Sequence, residues 1–261
     1  MLTNLTPKKF KNIFIFLLIT LSLINLSVSD GSTCTEQWTE INTSLENWLQ
    51  KGDLEIKESS DGKPIFTFGP KNISAEDTNY LGESWLKVDL SKNRGMIVTF
   101  KPELYAYGNS ISSYPEGFAV VFTSSEPEKF NLGQNEGLGY EGIINGIALE
   151  FDFIKNAEKG DSDKPHLSVN YNISGILSAA SIGRTDNLYN IELPNFYDKS
   201  KENYDANIYF EIKIFSKKLT VIAKSSTDKV LLETDFLQFQ QLLENGDCSM
   251  GLLQLEMVIA E

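Results

Sequence analysis

The most regular pattern in the chain is an alternation of apolar and polar positions between residues 208 and 214. Four apolar side chains lie on one face and three polar or amphipathic side chains on the other: Ile208, Phe210, Ile212 and Ile214 against Tyr209, Glu211 and Lys213. Successive side chains of a strand point to opposite faces, so this period predicts a strand with one buried face over 207–215. A short polar connection leads into the apolar run 218–223, and we expect these two strands to form a hairpin.

Most of the remaining pattern is also typical of strands. Four further segments are rich in β-branched and aromatic residues and are bounded by turn residues: 95–100, 117–123, 146–154 and 166–171. Two helices are predicted, one over 36–52 and one over 235–246. The first has an apolar stripe and a terminal Gly52, and the second has Asp235 as N-cap and Gly246 as stop. The helices do not alternate with strands, so the pattern favours one all-β domain of two packed antiparallel sheets.

The N-terminus has the pattern of a secretory signal peptide. Three lysines precede the apolar run Ile13 to Leu26, and small residues then lead to a cleavage position before Asp30. The run is short for a bilayer span, although an uncleaved membrane anchor is the alternative. We therefore predict a signal peptide over 1–29, a mature domain over 30–261 with no membrane span, and a location in the secretory pathway or outside the cell.

Charge and cysteine content fit that location. The formal net charge is -13, and loss of residues 1–29 would remove three lysines and make the chain still more acidic. Such a negative charge argues against nucleic acid and anionic membranes as partners. An even number of cysteines in an oxidising compartment predicts a bridge between Cys34 and Cys248. Three sequons predict glycosylation at Asn42, Asn72 and Asn172.

Candidate chemistry is concentrated between Glu150 and His166, the only histidine of the chain. Glu150 and Asp152 leave one face of a predicted strand, and a loop then brings more oxygen donors before the next strand begins: Asn156, Asp161 and Asp163. Oxygen donors suit Ca²⁺, whereas an imidazole among carboxylates suits Mn²⁺ or Zn²⁺. Two alternatives are an acidic surface loop with an incidental histidine and a glycosidase pair of carboxylates. The glycosidase motif lacks its third acid, because positions 154 and 155 are Ile and Lys.

This segment resembles the metal-binding segment of L-type lectins, the legume-lectin group typified by concanavalin A. The family pattern of Glu-x-Asp, a carbonyl donor, Asn, Asp and His matches at every step: Glu150, Asp152, Ile154, Asn156, Asp161 and His166. Segments 115–122, 136–152 and 210–223 are also similar to the family. The resemblance implies a concanavalin A-like jelly-roll sandwich. It further implies a transition-metal site (Glu150, Asp152, Asp161, His166) and a Ca²⁺ site (Asp152, the Ile154 carbonyl, Asn156, Asp161).

The resemblance also implies a sugar site formed by Asn156, the acid at position 116 and the backbone of Gly137, or of Gly139. The chain departs from the family at two positions. Glu116 stands where the family has Asp, beside a peptide bond that the family commonly holds in cis. Ile154 stands where many members place an aromatic residue that stacks on the sugar, and Tyr140 or Tyr114 are candidates to replace that platform.

The expected function is Ca²⁺-dependent carbohydrate binding without catalysis, with glycans or glycoproteins as partners and mannose or glucose as the first candidate sugar. Legume-type sandwiches often pair through flat sheets, so the resemblance allows a homo-oligomer. The alternative is a metal-stabilised sandwich that binds a protein partner, and a glycan hydrolase ranks below both.

Overall fold

The computed structural model of the chain describes the strands and most of the segments around the predicted metal loop. The described residues are 14–23, 27–29, 38–40, 45–52, 54–68, 82–88, 95–107, 117–126, 138–153, 155, 157–178, 188–194, 197–198, 203–204, 208–215, 218–224, 228–235 and 248–253.

Within these residues the chain is almost entirely β-strand. The strands are β1 Phe14–Leu23, β2 Ser27–Ser29, β3 Trp38–Glu40, β4 Trp48–Gly52, β5 Leu54–Glu58, β6 Pro64–Phe68, β7 Gly82–Val88, β8 Gly95–Tyr107, β9 Gly117–Thr123, β10 Ile144–Asp152, β11 His166–Ile176, β12 Ile191–Glu192, β13 Tyr197–Asp198, β14 Asn203–Tyr204, β15 Tyr209–Phe215, β16 Lys218–Lys224, β17 Lys229–Asp235 and β18 Cys248–Leu253. Two 3-10 turns, Leu45–Asn47 and Ala157–Lys159, are the helical elements of the described chain.

Two seven-stranded sheets form the body of the molecule. One has the order β17-β16-β15-β8-β1-β6-β5, and the other, which we call the front sheet, has the order β12-β11-β10-β9-β18-β7-β4. Every pairing between described strands is antiparallel. The predicted all-β sandwich of antiparallel sheets is therefore confirmed.

The main core lies between the two sheets and is rich in phenylalanine. Phe118 and Phe151 of the front sheet stack at 4.6 Å between ring centroids, and Phe100 and Phe210 of the other sheet pack against Phe151 at 5.5 and 5.0 Å. Edge-to-face and offset contacts of this kind stabilise aromatic clusters beyond the area that they bury. Burial of Phe151 in this cluster turns its two neighbours, Glu150 and Asp152, to the other face of the front sheet.

The strands predicted from the alternation pattern are confirmed. The segment 117–123 coincides with β9, and the other predicted strands lie within or largely overlap β8, β10, β11, β15 and β16. The predicted hairpin is present, since β15 and β16 pair in register from Tyr209 opposite Lys224 to Phe215 opposite Lys218. Ile208, Phe210, Ile212 and Ile214 are all buried, as the period of two required.

The predicted helix over 36–52 is wrong. Its described part contains β3, a single 3-10 turn and β4, which begins with the buried Trp48. Trp48 packs edge-to-face on Phe66, with 4.7 Å between the ring centroids, and so fills the sandwich core from a strand. Apolar residues three and four apart fitted a helix, but the tertiary contacts of Trp48 decide in favour of a strand. The second predicted helix falls on residues 236–246, outside the described residues; Asp235 ends β17.

The apolar run near the N-terminus forms strand β1, between β8 and β6. The signal peptide over 1–29 and the domain boundary at residue 30 stay predictions. Among the described residues, no helix is long and apolar enough to cross a membrane.

Candidate metal centre

The candidate site lies where three neighbouring strands of the front sheet come together. β10 runs between β9 and β11, and Asp152 at its end faces Gly117 on one side and His166 on the other. The predicted alternation of this segment holds, because Glu150 and Asp152 share the face opposite the phenylalanine core. The register alone therefore places an acid beside the imidazole that follows it fourteen positions later in the chain.

Asp161 completes a cluster of three potential ligands. One ligand atom from each of Asp152, Asp161 and His166 lies within 4.8 Å of the others, and His166 Nε2 is 3.9 Å from Asp152 Oδ2 and 3.9 Å from Asp161 Oδ1. The 3-10 turn at 157–159 and Gly160, with a φ of 89°, reverse the chain so that Asp161 points back to the strand ends. Asp163 is exposed and pairs with Lys155 instead.

His166 is held in the form that binds a metal. Its Nδ1 lies 3.1 Å from the carbonyl oxygen of Lys164, which can only accept, so Nδ1 carries the hydrogen and Nε2 keeps its lone pair. Burial lowers the pKa of His166 and so favours the neutral ring. The hydrogen bond to the Lys164 carbonyl and the charge of Asp161 act in the opposite direction but offset only part of this effect. Nε2 is buried and has no hydrogen-bond partner among the described residues.

A tyrosine and an asparagine from a distant segment position Asp161 and its loop. The Tyr189 hydroxyl donates to Asp161 Oδ1 at 2.6 Å, and its ring lies edge-on to His166. Asn190, with a φ of 54°, accepts from the Ser162 amide through Oδ1 at 3.0 Å. Such contacts fix the direction of a ligand side chain before any ion arrives.

Glu150 lies two residues before Asp152 and belongs to a buried hydrogen-bonded triangle. Its Oε2 accepts from the Tyr140 hydroxyl at 3.0 Å and from Asn170 Nδ2 at 2.9 Å, and Asn170 Nδ2 also donates to the Tyr140 oxygen at 2.6 Å. Burial raises the pKa of Glu150 to about 8; the bond from Tyr140 lowers it and the Asp161 charge raises it. The acid thus stays largely protonated at neutral pH until a cation offsets its burial and the repulsion from Asp161.

The arrangement fits a metal ion in its donors and its spacing. Ligand bonds of about 2.1 Å on either side of a transition metal allow two ligand atoms to lie up to about 4.2 Å apart, which covers both 3.9 Å separations. A neutral imidazole with two carboxylates is a set that first-row transition metals bind. An ion also gives the orphaned Nε2 a partner, which the described protein atoms do not provide.

Several predicted site residues lie outside the described residues: Ile154, Asn156, Glu116 and Gly137, together with the peptide bond before Glu116. Gly139 is described, half-buried, with a φ of 75°. Tyr140 is fully buried, so the suggestion that it offers a stacking surface to a sugar is wrong. Tyr114 lies outside the described residues.

The predicted disulfide and two of the three predicted glycosylation sites also fall outside the described residues. Cys34, Asn42 and Asn72 are not described, and Cys248 is described only as the first backbone position of β18. Asn172 lies in β11, where its Nδ2 donates to the Ile176 carbonyl at 3.0 Å.

The comparisons with known proteins give structural neighbours only. No family model and no curated protein matches the sequence. Peanut lectin with a bound nonapeptide is 13% identical over 95% of this chain and 95% of its own, with a TM-score of 0.48. The lumenal domain of VIP36 with Ca²⁺ and Man3GlcNAc is 13% identical over 82% and 84%, with a TM-score of 0.47.

A third neighbour, the lectin of Bauhinia forficata in complex with GalNAc, is 14% identical over 83% of this chain and 90% of its own, with a TM-score of 0.45. The neighbours are L-type lectins, the group that the 150–166 segment resembles. Identities and scores of this size describe a similarity of fold and carry no statement about function.

Sequence reasoning missed the residues that hold the ligands in place. Tyr189 and Asn190 are far from the metal segment in the chain, and Asn170 and Tyr140 carry no metal-ligand chemistry of their own. A signal existed for Asn170: it follows His166 by four positions in a strand and so shares its face.

Proposed function

We propose that this chain is a secretory carbohydrate-binding protein whose sugar site depends on Ca²⁺ and on a transition metal such as Mn²⁺, and that it has no catalytic activity. The observation that carries the proposal is the cluster of Asp152, Asp161 and His166, with its buried and unpartnered Nε2. Burying such a group costs free energy unless something binds it, so the cluster is shaped for an ion.

The transition metal would be held by Glu150, Asp152, Asp161 and His166, and Ca²⁺ by Asp152, the Ile154 carbonyl, Asn156 and Asp161. A pair of cations would neutralise the clustered carboxylates and supply fixed positive charge beside the 152–166 loop. The protein's part is to aim these ligands. Tyr189 holds Asp161 and the Lys164 carbonyl sets the tautomer of His166.

The sugar would bind beside this loop, through Asn156, Glu116 and the backbone of Gly137 or Gly139. The pairing of Gly117 with Asp152 supports this, since Gly117 directly follows Glu116 in the chain. Carboxylate, amide and backbone N–H groups that converge on neighbouring hydroxyls are what a shallow hexose site requires. Mannose or glucose is the first candidate.

Burial argues against the glycosidase alternative. Glu150 and Asp152 are 5% and 4% exposed, and Glu150 Oε2 already accepts two hydrogen bonds from protein groups. A glycosidase needs both carboxylates at a surface that the scissile bond reaches. Their burial supports a role as ligands for a small ion.

A glycan array tests the proposal. The secreted protein would be applied with Ca²⁺ and Mn²⁺, then again after chelation, with folding checked by circular dichroism in both states. We expect binding to a defined set of glycans that disappears on chelation and returns when the metals are restored. A folded, metal-loaded protein that binds no glycan would contradict the proposal and direct the search to protein partners.

A further inference from the structure

We propose that Tyr140 is a positioning residue that couples the metal site to the turn carrying Gly139. In this proposal the Tyr140 hydroxyl ties the turn 138–143 to Glu150, so an ion bound by Glu150 also orders the turn. The inference rests on the proposed function and deepens it, because it names the side chain through which metal binding reaches the sugar-binding backbone.

The first support is the geometry around the hydroxyl group. Tyr140 is 0% exposed, and its hydroxyl donates to the carboxylate of Glu150 while accepting from Asn170. Both bonds to Glu150 end on Oε2, so neither engages the other carboxylate oxygen. One oxygen of Glu150 is thus held by protein while the other is left for a ligand role.

The second support is the conformation of the turn. Leu138 and Gly139 have φ values of 50° and 75°, and Gly142 has a φ of 95°. A leucine in the left-handed region is unfavourable and persists only where the surroundings hold it. Next to Leu138 and Gly139, Tyr140 makes side-chain hydrogen bonds from the turn to Glu150 of β10 and Asn170 of β11.

The apolar side chains of the turn pack into a second core, and the described residues of that core include none of the proposed metal ligands. Leu138, Tyr140 and Ile143 pack with Leu177 and Trp85 in a second core on the front sheet. Backbone bonds from Gly142 to the Leu177 carbonyl, and from Leu177 to the Ile143 carbonyl, fix the far side of the turn. On the side where Gly139 lies, the Tyr140 hydroxyl adds the hydrogen bonds that join the turn to Glu150 and Asn170.

The third support is a second tie between the same two segments. Glu141 follows Tyr140 and forms an ion pair with Lys159 at 3.4 Å, and Lys159 belongs to the 3-10 turn of the metal loop. Two consecutive residues of the turn thus contact the metal segment, one at its strand and one at its loop. Order in the loop and order in the turn are coupled, and by linkage the coupling acts in both directions.

The test uses Tyr140→Phe, which keeps the buried ring and removes only the hydroxyl. Affinities for Mn²⁺ and Ca²⁺ would be measured by titration calorimetry on the chelated, full protein. Amide hydrogen exchange at 138–143 would be measured with and without the metals. Tyr171→Phe is the matched control, because Tyr171 lies on β11 with its side chain 37% exposed.

In the wild type we expect metal to slow exchange in the turn. In Tyr140→Phe we expect that difference to disappear and Mn²⁺ affinity to fall about tenfold, as is typical for residues that orient a ligand. In a Glu150→Gln background, Tyr140→Phe should lower the affinity no further, because its effect passes through Glu150. Should Tyr140→Phe not fold, Asn170→Ala removes the donor to both the Tyr140 oxygen and Glu150 Oε2. This variant weakens the same hydrogen-bonded triangle, and the metal-dependent protection of 138–143 should decrease.

Two failures can be told apart. A wild type that binds neither ion removes the proposed function and with it this coupling. A wild type that binds metal, with Tyr140→Phe showing the same affinity and the same metal-dependent protection, overturns the role of Tyr140 alone.

Discussion

At the scale of single residues, the site is built by pairing each ligand with a group that aims it. His166 is aimed by the Lys164 carbonyl, and Asp161 by the Tyr189 hydroxyl. His166 Nε2 lies 3.9 Å from an oxygen of Asp152 and 3.9 Å from an oxygen of Asp161, beyond hydrogen-bonding distance. The protein thus supplies direction for His166 and Asp161, and an ion would supply the contact between the ligands.

His166→Leu separates metal binding from folding. We expect the metal-free protein to change in stability by about 1 kcal/mol, because two effects oppose each other. The variant loses the Nδ1 hydrogen bond to the Lys164 carbonyl, but it replaces Nε2, which has no hydrogen-bond partner among the described residues, with an apolar group. The stabilisation by Mn²⁺, about 2.7 kcal/mol at a hundredfold excess over Kd, should be lost. Thermal unfolding with and without Mn²⁺ measures both quantities, and a variant still stabilised by Mn²⁺ would exclude His166 as a ligand.

Tyr189→Phe removes the hydrogen bond to Asp161 and keeps the ring beside His166. We expect metal affinity to fall about tenfold with little change in the metal-free fold, because Asp161 loses the group that orients it. Calorimetry with Tyr171→Phe as control measures the effect. Equal affinities in the two variants would mean that Tyr189 only fills space.

Glu83 gives a test of pH dependence away from the metal site. It is buried on β7, accepts from Trp85 Nε1 at 3.0 Å and lies 4.0 Å from Lys51 Nζ. Burial raises its pKa, so the folded state holds the proton more tightly than the unfolded state. The wild type therefore loses stability as pH rises from the unfolded value of about 4.5 through the raised pKa.

Glu83→Gln keeps an acceptor for Trp85 and removes that dependence. We expect the variant to be more stable than the wild type at neutral pH, with the gap closing as pH falls toward 4.5. Urea unfolding at several pH values measures it, with Glu58→Gln at an exposed position as control. A gap that widens on acidification would contradict the assignment.

The cluster of Asp152, Asp161 and His166 could be predicted because its members follow one another closely in the chain, whereas the groups that aim them could not. The three share one strand–loop–strand segment, so spacing and residue type were sufficient to bring them together. Tyr189 reaches Asp161 from 28 positions away, and only tertiary folding reveals that contact.

At the scale of elements, the register of β9, β10 and β11 sets the site. Asp152 is flanked by Gly117 and His166, and the β9–β10 approach is close at that point. A Cβ built on Gly117 would lie 2.1 Å from the Phe151 carbonyl oxygen, which is backbone and cannot move aside. Glycine at position 117 is therefore required by packing, whatever the role of Glu116.

Gly117→Ala should disrupt this end of the front sheet. We expect a loss of at least about 2 kcal/mol of stability and a loss of metal binding, because β9 must shift away from β10. Gly175→Ala is the control: the nearest atoms to its Cβ would be those at the end of the Asn172 side chain, the closest at 2.9 Å, and that side chain can adjust. Urea unfolding of both variants decides, and equal stabilities would contradict the close approach.

A secondary-structure element could be predicted where its apolar residues followed a single period, either that of a strand or that of a helix. β15 alternates strictly and was identified with its hairpin partner, whereas 36–52 carried apolar residues at spacings compatible with a helix. There Trp48 packs into the core from a strand. Local pattern could not decide that segment, because the deciding contact is with Phe66, 18 positions away.

At the scale of the whole molecule, the sandwich was predicted but its strand order was not. Strands that are neighbours in a sheet, such as β8 and β15 or β9 and β18, are separated by more than a hundred residues in the chain. Their pairing therefore cannot be predicted from local sequence. The molecule also concentrates buried acids at one sheet end while carrying a net charge of -13. A cation at that end would relieve a repulsion that the rest of the chain reinforces.

The most direct test is a calorimetric titration of the chelated protein with Mn²⁺ and Ca²⁺, comparing the wild type with Asp152→Asn. Asp152 is one of the two carboxylates proposed to contact both ions, the other being Asp161. The account predicts saturable binding of both metals by the wild type and loss of both in the variant, which should remain folded. A wild type that releases no heat with either ion, or a variant that binds both as well as the wild type, would contradict a metal centre at Asp152, Asp161 and His166.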